Sequence, residues 1–312
     1  MTNITPHETW EVRDPSKLQT AMDCERKYFF EYMLGWRSTY KNNHLIFGTA
    51  WHKAQEYILI NGYEDRHVLA AFEEFLTEYR KEFSEDTDAE LSPKNPANAM
   101  KALLQYVQNF KNDHEKYEVL FTEIGGSVML TDKDLLYFKM DSILRDRKNN
   151  MKFSFEHKTG SRTGRQWEDQ WQLKTQVGAY THVMNCLYPQ EEVRGIKIRG
   201  TFFQKKENKF LSLPCWKTND QMQVWMWNTL AWIDRIKHST DVLMNDCTED
   251  DPVMMAFPMN TENCTKYFGC TYHDFCTAWP NPLVRCAEPP MGFEVDFWDT
   301  RAEETTHKME VK

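Results

Sequence analysis

Apolar residues recur at helical spacing through the first hundred or so positions, and the pattern then shortens to strand-like runs. Four helices are predicted first. One spans residues 16–34, with Ser16 as its N-cap and Leu18, Met22 and Phe29 near one face. The others cover about 47–62, 66–83 and 97–115, and the acidic stretch 84–96, with Pro93 and Pro96, reads as a loop. Runs rich in apolar and β-forming residues follow at 119–124, 127–130, 135–144 and 151–156. Gly125-Gly126 and Lys148-Asn149-Asn150 fit turns between them. A long helix is predicted over 166–187, strands near 194–204 and 210–213, and a helix near 220–238. From 247 onward the chain is irregular and rich in Cys, Pro, Asn and Asp, and no repeat or Gly/Ser linker is visible. This order predicts an α/β (α+β) protein with one mixed sheet. Residues 16–116 form a helical N-terminal part, 117–240 the core and 247–290 a cysteine-rich segment of a single domain.

Composition sharpens this in three places. A chain of 312 residues with 41% hydrophobic content can bury a core, so it should fold rather than stay disordered. It has no run of about 18 apolar residues and no apolar leader at its start, so a cytoplasmic protein without a membrane span is expected. In a reducing compartment the eight cysteines read as free thiols, metal ligands or a mixture, with Cys186 and Cys215 as core packing. The net charge of −9 disfavours a nucleic-acid partner at first sight, but phosphate contacts need only a local basic stripe. Residues 194–209, including Lys205 and Lys206, hold six Lys/Arg against one Glu, and Arg162 and Arg165 follow Lys158. These positions are the expected DNA track; the bland alternative is a solvated face.

The chemistry concentrates in two adjacent strand segments. Asp141 lies in YFKMDSILRD, and Glu156 and Lys158 end MKFSFEHKTG. A hairpin would bring Asp141 beside Glu156, and period-two geometry puts Glu156 and Lys158 on one face with His157 on the other. Two carboxylates and an ammonium at one point suit Mg²⁺ or Mn²⁺ and phosphate chemistry. His52 and Glu56 share a helix face, as do Gln172, Gln176 and Tyr180. Glu123 is a candidate extra acid. Most such triplets are solvated strand faces, and a lone His or a Gln/Tyr stripe is usually structural.

Taken together, the motifs resemble the PD-(D/E)XK nuclease superfamily, specifically its RecB-like branch. SKLQTAMDCERKYFFEYMLGW resembles the opening of AddB-type and CRISPR-associated RecB-family nucleases. FGTAWHKAQE resembles the Gly-x-x-x-His motif, MDSIL and FEHKTG the aspartate and Glu/Asp-x-Lys motifs, and QVGAY the Gln-x-x-x-Tyr motif. The matches span roughly residues 16–276 in the right order. The resemblance implies a restriction-endonuclease-like core. It also implies that His52, Asp141, Glu156 and the backbone carbonyl of His157 ligate Mg²⁺ or Mn²⁺, that Lys158 assists the attacking water, and that Gln176 and Tyr180 organise the site.

Cys264, Cys270 and Cys276 are separated by two five-residue gaps, which fit a zinc site poorly. The resembled families pair one early cysteine with three late ones, which implies a 4Fe–4S cluster on Cys24, Cys264, Cys270 and Cys276. Their pattern, however, ends in Cys-x₂-Cys-x₅-Cys, and only the last gap matches; Cys247 and Cys286 flank the set as substitutes. The expected function is a metal-dependent DNA exonuclease acting on single strands or duplex ends. The alternatives are a catalytically weak DNA-binding recombination module with an iron–sulfur or zinc site, and a zinc-stabilised structural protein. No Gly-x-x-x-x-Gly-Lys-Ser/Thr motif is present, so any unwinding would come from a helicase or recombinase partner.

Overall fold

The computed structural model describes residues 4–266 and 269–311; Tyr267 and Phe268, within the cysteine-rich stretch, lie outside it. Asp14, not Ser16, starts the first helix. Its Oδ1 accepts from the backbone N–H groups of Ser16 (2.7 Å) and Lys17 (2.9 Å), and Pro15 at the first position has no donor to satisfy. Helix α1 (Pro15–Asp23) does not run on to residue 34. Cys24 is extended, with φ −167°, and the chain resumes as α2 (Glu25–Tyr28) and a π-helical turn (Phe29–Met33) before β1 (Trp36–Ser38). Helices α3 (Asn43–Asn61), α4 (Asp65–Tyr79) and α5 (Pro96–Phe110) form the helical part. On α5, Ala99, Ala102, Leu103, Tyr106 and Val107 make an apolar stripe that shares one buried cluster with Phe47, Trp51 and Phe75.

A short α6 (Asp113–Lys116) leads into β2 (Tyr117–Met129), β3 (Leu135–Asp146) and β4 (Lys152–Gly160). Gly125 and Gly126 make no turn. Both lie inside the single long β2, opposite Lys139 and Phe138 on one side and Lys308 and Met309 on the other. The reason is close approach: a Cβ on Gly126 would sit 1.6 Å from the Met309 carbonyl oxygen. The helix predicted over 166–187 is also interrupted. It divides into α7 (Arg165–Asp169), a 3₁₀ turn (Gln170–Leu173) and, after the extended Lys174, α8 (Thr175–Leu187). Then come β5 (Val193–Phe202), β6 (Lys209–Cys215), α9 (Asn219–Asn245), α10 (His273–Ala278), β7 (Phe293–Val295) and β8 (His307–Val311).

The main sheet has the order β6-β5-β4-β3-β2-β8, with β4/β5 and β2/β8 parallel and the remaining pairs antiparallel. It is a mixed sheet flanked by helices, as expected. The largest buried cluster joins Ile124, Phe138, Met140 and Ile196 of the sheet to Leu18 of α1, Val183 of α8 and Ile233 of α9. The chain's far end returns to its beginning. β7 pairs with β1, and the Trp298 indole and Thr300 hydroxyl donate to Asp14 Oδ2 at 2.9 and 2.6 Å. Among the described residues no helix is long and apolar enough to cross a membrane.

Candidate active site

Strands β3 and β4 pair only at their closed end, Leu144 with Phe153 and Arg145 with Lys152. Beyond that point they part. Asp141 bridges the gap with its side chain, its Oδ2 accepting from the His157 backbone N–H at 2.7 Å. The carboxylate thus stands in for a missing ladder partner at the split. Alternation along β4 places Glu156 and Lys158 together, with Lys158 Nζ 2.6 Å from Glu156 Oε1.

From α8, the Gln176 amide donates to Glu156 Oε1 (2.9 Å) and to the Tyr180 hydroxyl (3.1 Å), and that hydroxyl donates to the Lys139 carbonyl. Helix α8 is held in register by Trp225 of α9, which packs where a Cβ on Gly178 would be, only 2.1 Å away. The Trp225 indole also donates to the Thr175 carbonyl at 3.2 Å. Gln172 does not join this face. It precedes the break at Lys174, and its amide reaches the Pro214 carbonyl instead (3.5 Å). From α3, His52 Nε2 donates to the His157 carbonyl at 2.9 Å, while Nδ1 faces Asp141 Oδ1 at 3.5 Å.

The charges are unequally tuned. Burial, followed by repulsion from Asp141, pushes the Glu156 carboxyl up to about 7 against the pull of Lys158. Burial acts the same way on Asp141, but His52, His157 and Lys158 outweigh it and hold that carboxyl well below the usual range. Burial alone would lower His52; the Asp141 charge and hydrogen bond lift it to about 9. Burial also opposes the Lys158 charge, and Glu156 and Asp141 overcome it and raise its pKa. The His157 ring is different. It is buried on the opposite face, pushed down to about 3 chiefly by burial, and among the described residues makes no hydrogen bond through either nitrogen. What His157 offers the site is backbone.

Among the described residues Glu156 Oε2 is a buried oxygen without a hydrogen-bond partner. An unpaired anionic oxygen beside a second carboxylate and a backbone carbonyl is a set of hard donors that fits a divalent cation. Among the described residues no three His, Cys, Asp or Glu side chains are gathered closely enough to hold a metal ion by themselves. Two carboxylates and a carbonyl would leave positions for water, as Mg²⁺ favours.

A model of the PD-(D/E)XK nuclease superfamily matches residues 15–277. The chain belongs to this superfamily. No curated protein matches it. One solved structure, described as "Crystal structure of SSO0001", aligns at 11% identity over 73% of this chain and 78% of that one, with a TM-score of 0.32, too low to bear on the fold. Membership makes the protein, by family, a metal-dependent nuclease that uses divalent cations such as Mg²⁺ or Mn²⁺ and binds nucleic acid.

The candidate site opens into a cleft of about 640 Å³, lined in part by His44, Gly48, Lys94, Lys139, Trp298 and Glu303. Glu123 stands at its edge with a left-handed backbone (φ 43°), paired through Oε2 with Lys139 at 3.1 Å. Burial, then Asp141, raises its carboxyl. Lys139, which also faces Glu303 at 3.5 Å, is a residue that the sequence motifs do not mark. Its place two residues before Asp141, on the same strand face, was the available signal. Lys94 and the returning tail gave no such signal. Lys94 sits in a stretch that reads only as polar loop, and the tail reaches Asp14 from 286 positions away.

The two basic stretches meet. Gln204 donates to the Ser161 carbonyl at 3.0 Å and the Phe203 N–H to the Gly160 carbonyl at 2.9 Å, which sets the loop of Arg162 and Arg165 beside the β5–β6 turn of Lys205 and Lys206. Both lysines are exposed, whereas Arg165 is engaged by Asp169 at 3.1 Å.

Cys24, Cys264, Cys270 and Cys276 are all half-buried, and Cys24 Sγ accepts from the Asn260 N–H at 3.4 Å. Burial raises the thiols of Cys270 and Cys276, the latter to about 11, with Cys24 and Cys264 adding to both. The four occupy one neighbourhood without being drawn to ligating distance. Cys215 is buried as expected. Cys186 is not core: it is exposed on the last turn of α8, one helical turn beyond His182.

Proposed function

We propose that this nuclease is a DNA exonuclease of the RecB-like branch, acting on single strands or duplex ends. The observation that carries the reading is the joint convergence of Asp141, Glu156 and Lys158 with Gln176 and Tyr180 from α8 and His52 from α3. Each pair alone is ordinary; together they make one connected hydrogen-bonded site at the mouth of a cleft.

In this reading Asp141, Glu156 and the His157 carbonyl hold the divalent cation, and His52 completes or orients that set. When bound, the cation lowers the pKa of a coordinated water and neutralises phosphate charge. Lys158 orients the attacking water and stabilises the pentacovalent phosphate, with a new P–O bond forming as the opposite P–O bond breaks. Gln176 and Lys158 both engage Glu156 Oε1, which leaves Oε2 unpaired among the described residues. The cleft has Trp298 and Glu303 of the C-terminal segment and His44 and Gly48 of α3 among its lining. Arg162, Arg165, Lys205 and Lys206 would carry the backbone leading to it.

The cluster belongs to the same proposal. Arg26 is buried, its guanidinium donates to the Phe257 (3.0 Å) and Met254 (3.3 Å) carbonyls, and among the described residues it has no carboxylate partner. Cys276, Cys24, Cys286 and Cys247 are its charge neighbours, and its charge pulls the Cys276 thiol down against the larger effect of burial. A 4Fe–4S cluster on Cys24, Cys264, Cys270 and Cys276 would staple α1 to the C-terminal segment, and a helicase or recombinase would supply unwound DNA.

The test is digestion of end-labelled linear and covalently closed circular DNA with Mg²⁺ or Mn²⁺, beside an iron and sulfide assay. Linear DNA should be consumed from its ends, closed circles should survive, and the protein should carry about four irons per chain. Efficient cutting of closed circles would overturn the exonuclease reading; zinc without iron would overturn the cluster.

A further inference from the structure

Lys94 is 5% exposed, and among the described residues it has no carboxylate partner. Its ammonium donates to Thr159 Oγ1 at 3.1 Å and lies 5.9 Å from the Phe47 ring centroid. Its own carbonyl is fixed by the Asn43 amide at 3.0 Å, so the loop that carries it is braced against the start of α3. Burial alone pushes its pKa down to about 8, which leaves it cationic at neutral pH. A buried ammonium without a counter-anion opposes folding, and one neutral hydroxyl and a ring face offset that cost only in part. Lys94 lines the nuclease cleft beside Lys158 and Thr159, one residue past the Glu156–Lys158 pair.

A second, independent feature points to the same spot. Gly48 lies in the interior of α3, where glycine weakens a helix. Yet a Cβ there would meet only Thr159 Oγ1, at an ordinary 3.7 Å. No packing within the protein demands a glycine. Its absent side chain leaves open space on the cleft wall, close to the hydroxyl that Lys94 holds.

We propose that Lys94, Thr159 and the bare backbone at Gly48 form a phosphate-binding subsite, which seats the DNA phosphate next to the one cleaved. The missing counter-anion of Lys94 is that phosphate, and Gly48 admits it. This rests on the nuclease reading, but the role it assigns is separate, since these residues hold the strand in register and do not react with it.

The probe is a fluorescein-labelled oligothymidylate, titrated by anisotropy against the full-length protein in EDTA at several KCl concentrations. Cleavage is then absent and binding is read alone. Lys94→Met fills the same volume without the charge. It should weaken binding about tenfold and reduce the salt slope by about one phosphate contact, while its melting temperature holds or rises. A merely structural lysine would do the reverse, lowering the melting temperature and leaving the salt slope alone. Gly48→Leu, which keeps the charge and improves the helix, should also weaken binding by obstructing the seat. Unchanged affinity in both variants would overturn the subsite while leaving the nuclease reading standing. Wild-type protein that neither binds the oligonucleotide nor cuts DNA with metal would overturn both.

Discussion

At the scale of single residues, buried charge decides what each group can do. Asp141 and Glu156 are chemically alike, yet one is held ionised by His52 and the other is pushed toward neutrality by its burial. A cation reaching Glu156 Oε2 would relieve that burial. Lys94 makes the same principle measurable without metal. Its folded pKa, about 8, lies below the ordinary 10.5 because burial disfavours the charged form. Between those values the unfolded chain keeps a proton that the folded chain has released, so this residue's contribution to stability rises with pH across the window. Urea unfolding at pH 7 and pH 10 should therefore show Lys94→Met losing ground to wild type at the higher pH, by on the order of 2–3 kcal/mol. Comparing the two proteins cancels the tyrosines and cysteines they share. A pH-independent difference would mean that Lys94 is not desolvated.

At the scale of elements, the strands around the site were legible because alternation survives locally: Phe153 and Phe155 against Glu156 and Lys158 already imply a buried strand with a charged tip. Three readings failed, two of them because the deciding contact comes from far along the chain and the third because the backbone turns extended at Lys174. Gly125-Gly126 has turn chemistry, but its purpose is to admit β8. The helix over 166–187 has a continuous apolar pattern, yet its break at Lys174 lets α7 and α8 take separate directions, which sends Gln172 away from the site and Gln176 into it. Ser16 looks like a cap, but Asp14 both caps α1 and accepts from Trp298 and Thr300. That last correction is open to a direct check by denaturant unfolding. Asp14→Ala should destabilise by about 3 kcal/mol, roughly one for the cap and two for the stranded buried donors, while Ser16→Ala should stay within about 0.5 kcal/mol. Equal effects would restore Ser16 as the cap.

At the scale of the whole molecule, the two ends of the chain cooperate in one site. The tail pairs with β1 and β2, contacts Asp14 and helps line the cleft, so the candidate site is completed by residues the central motifs do not contain. The net charge of −9 does not by itself exclude a nucleic-acid partner, because Arg162 and Arg165 are gathered beside Lys205 and Lys206, with Glu168, Asp169 and Glu207 among them. Short motifs scattered over more than a hundred positions announced the site, since their order alone is specific; the shape of the cleft could not be read, since it depends on the returning tail. The central claim is that Asp141, Glu156 and Lys158 form a working metal-dependent centre. Its most direct test is the rate of DNA hydrolysis with and without Mg²⁺ or Mn²⁺ for wild type, Glu156→Gln and Lys158→Met, each shown to be folded by its melting curve. Cleavage should occur only with divalent metal, and either variant should lose at least about a thousandfold in rate. Metal-independent cleavage, or full activity in a folded Glu156→Gln or Lys158→Met protein, would contradict it.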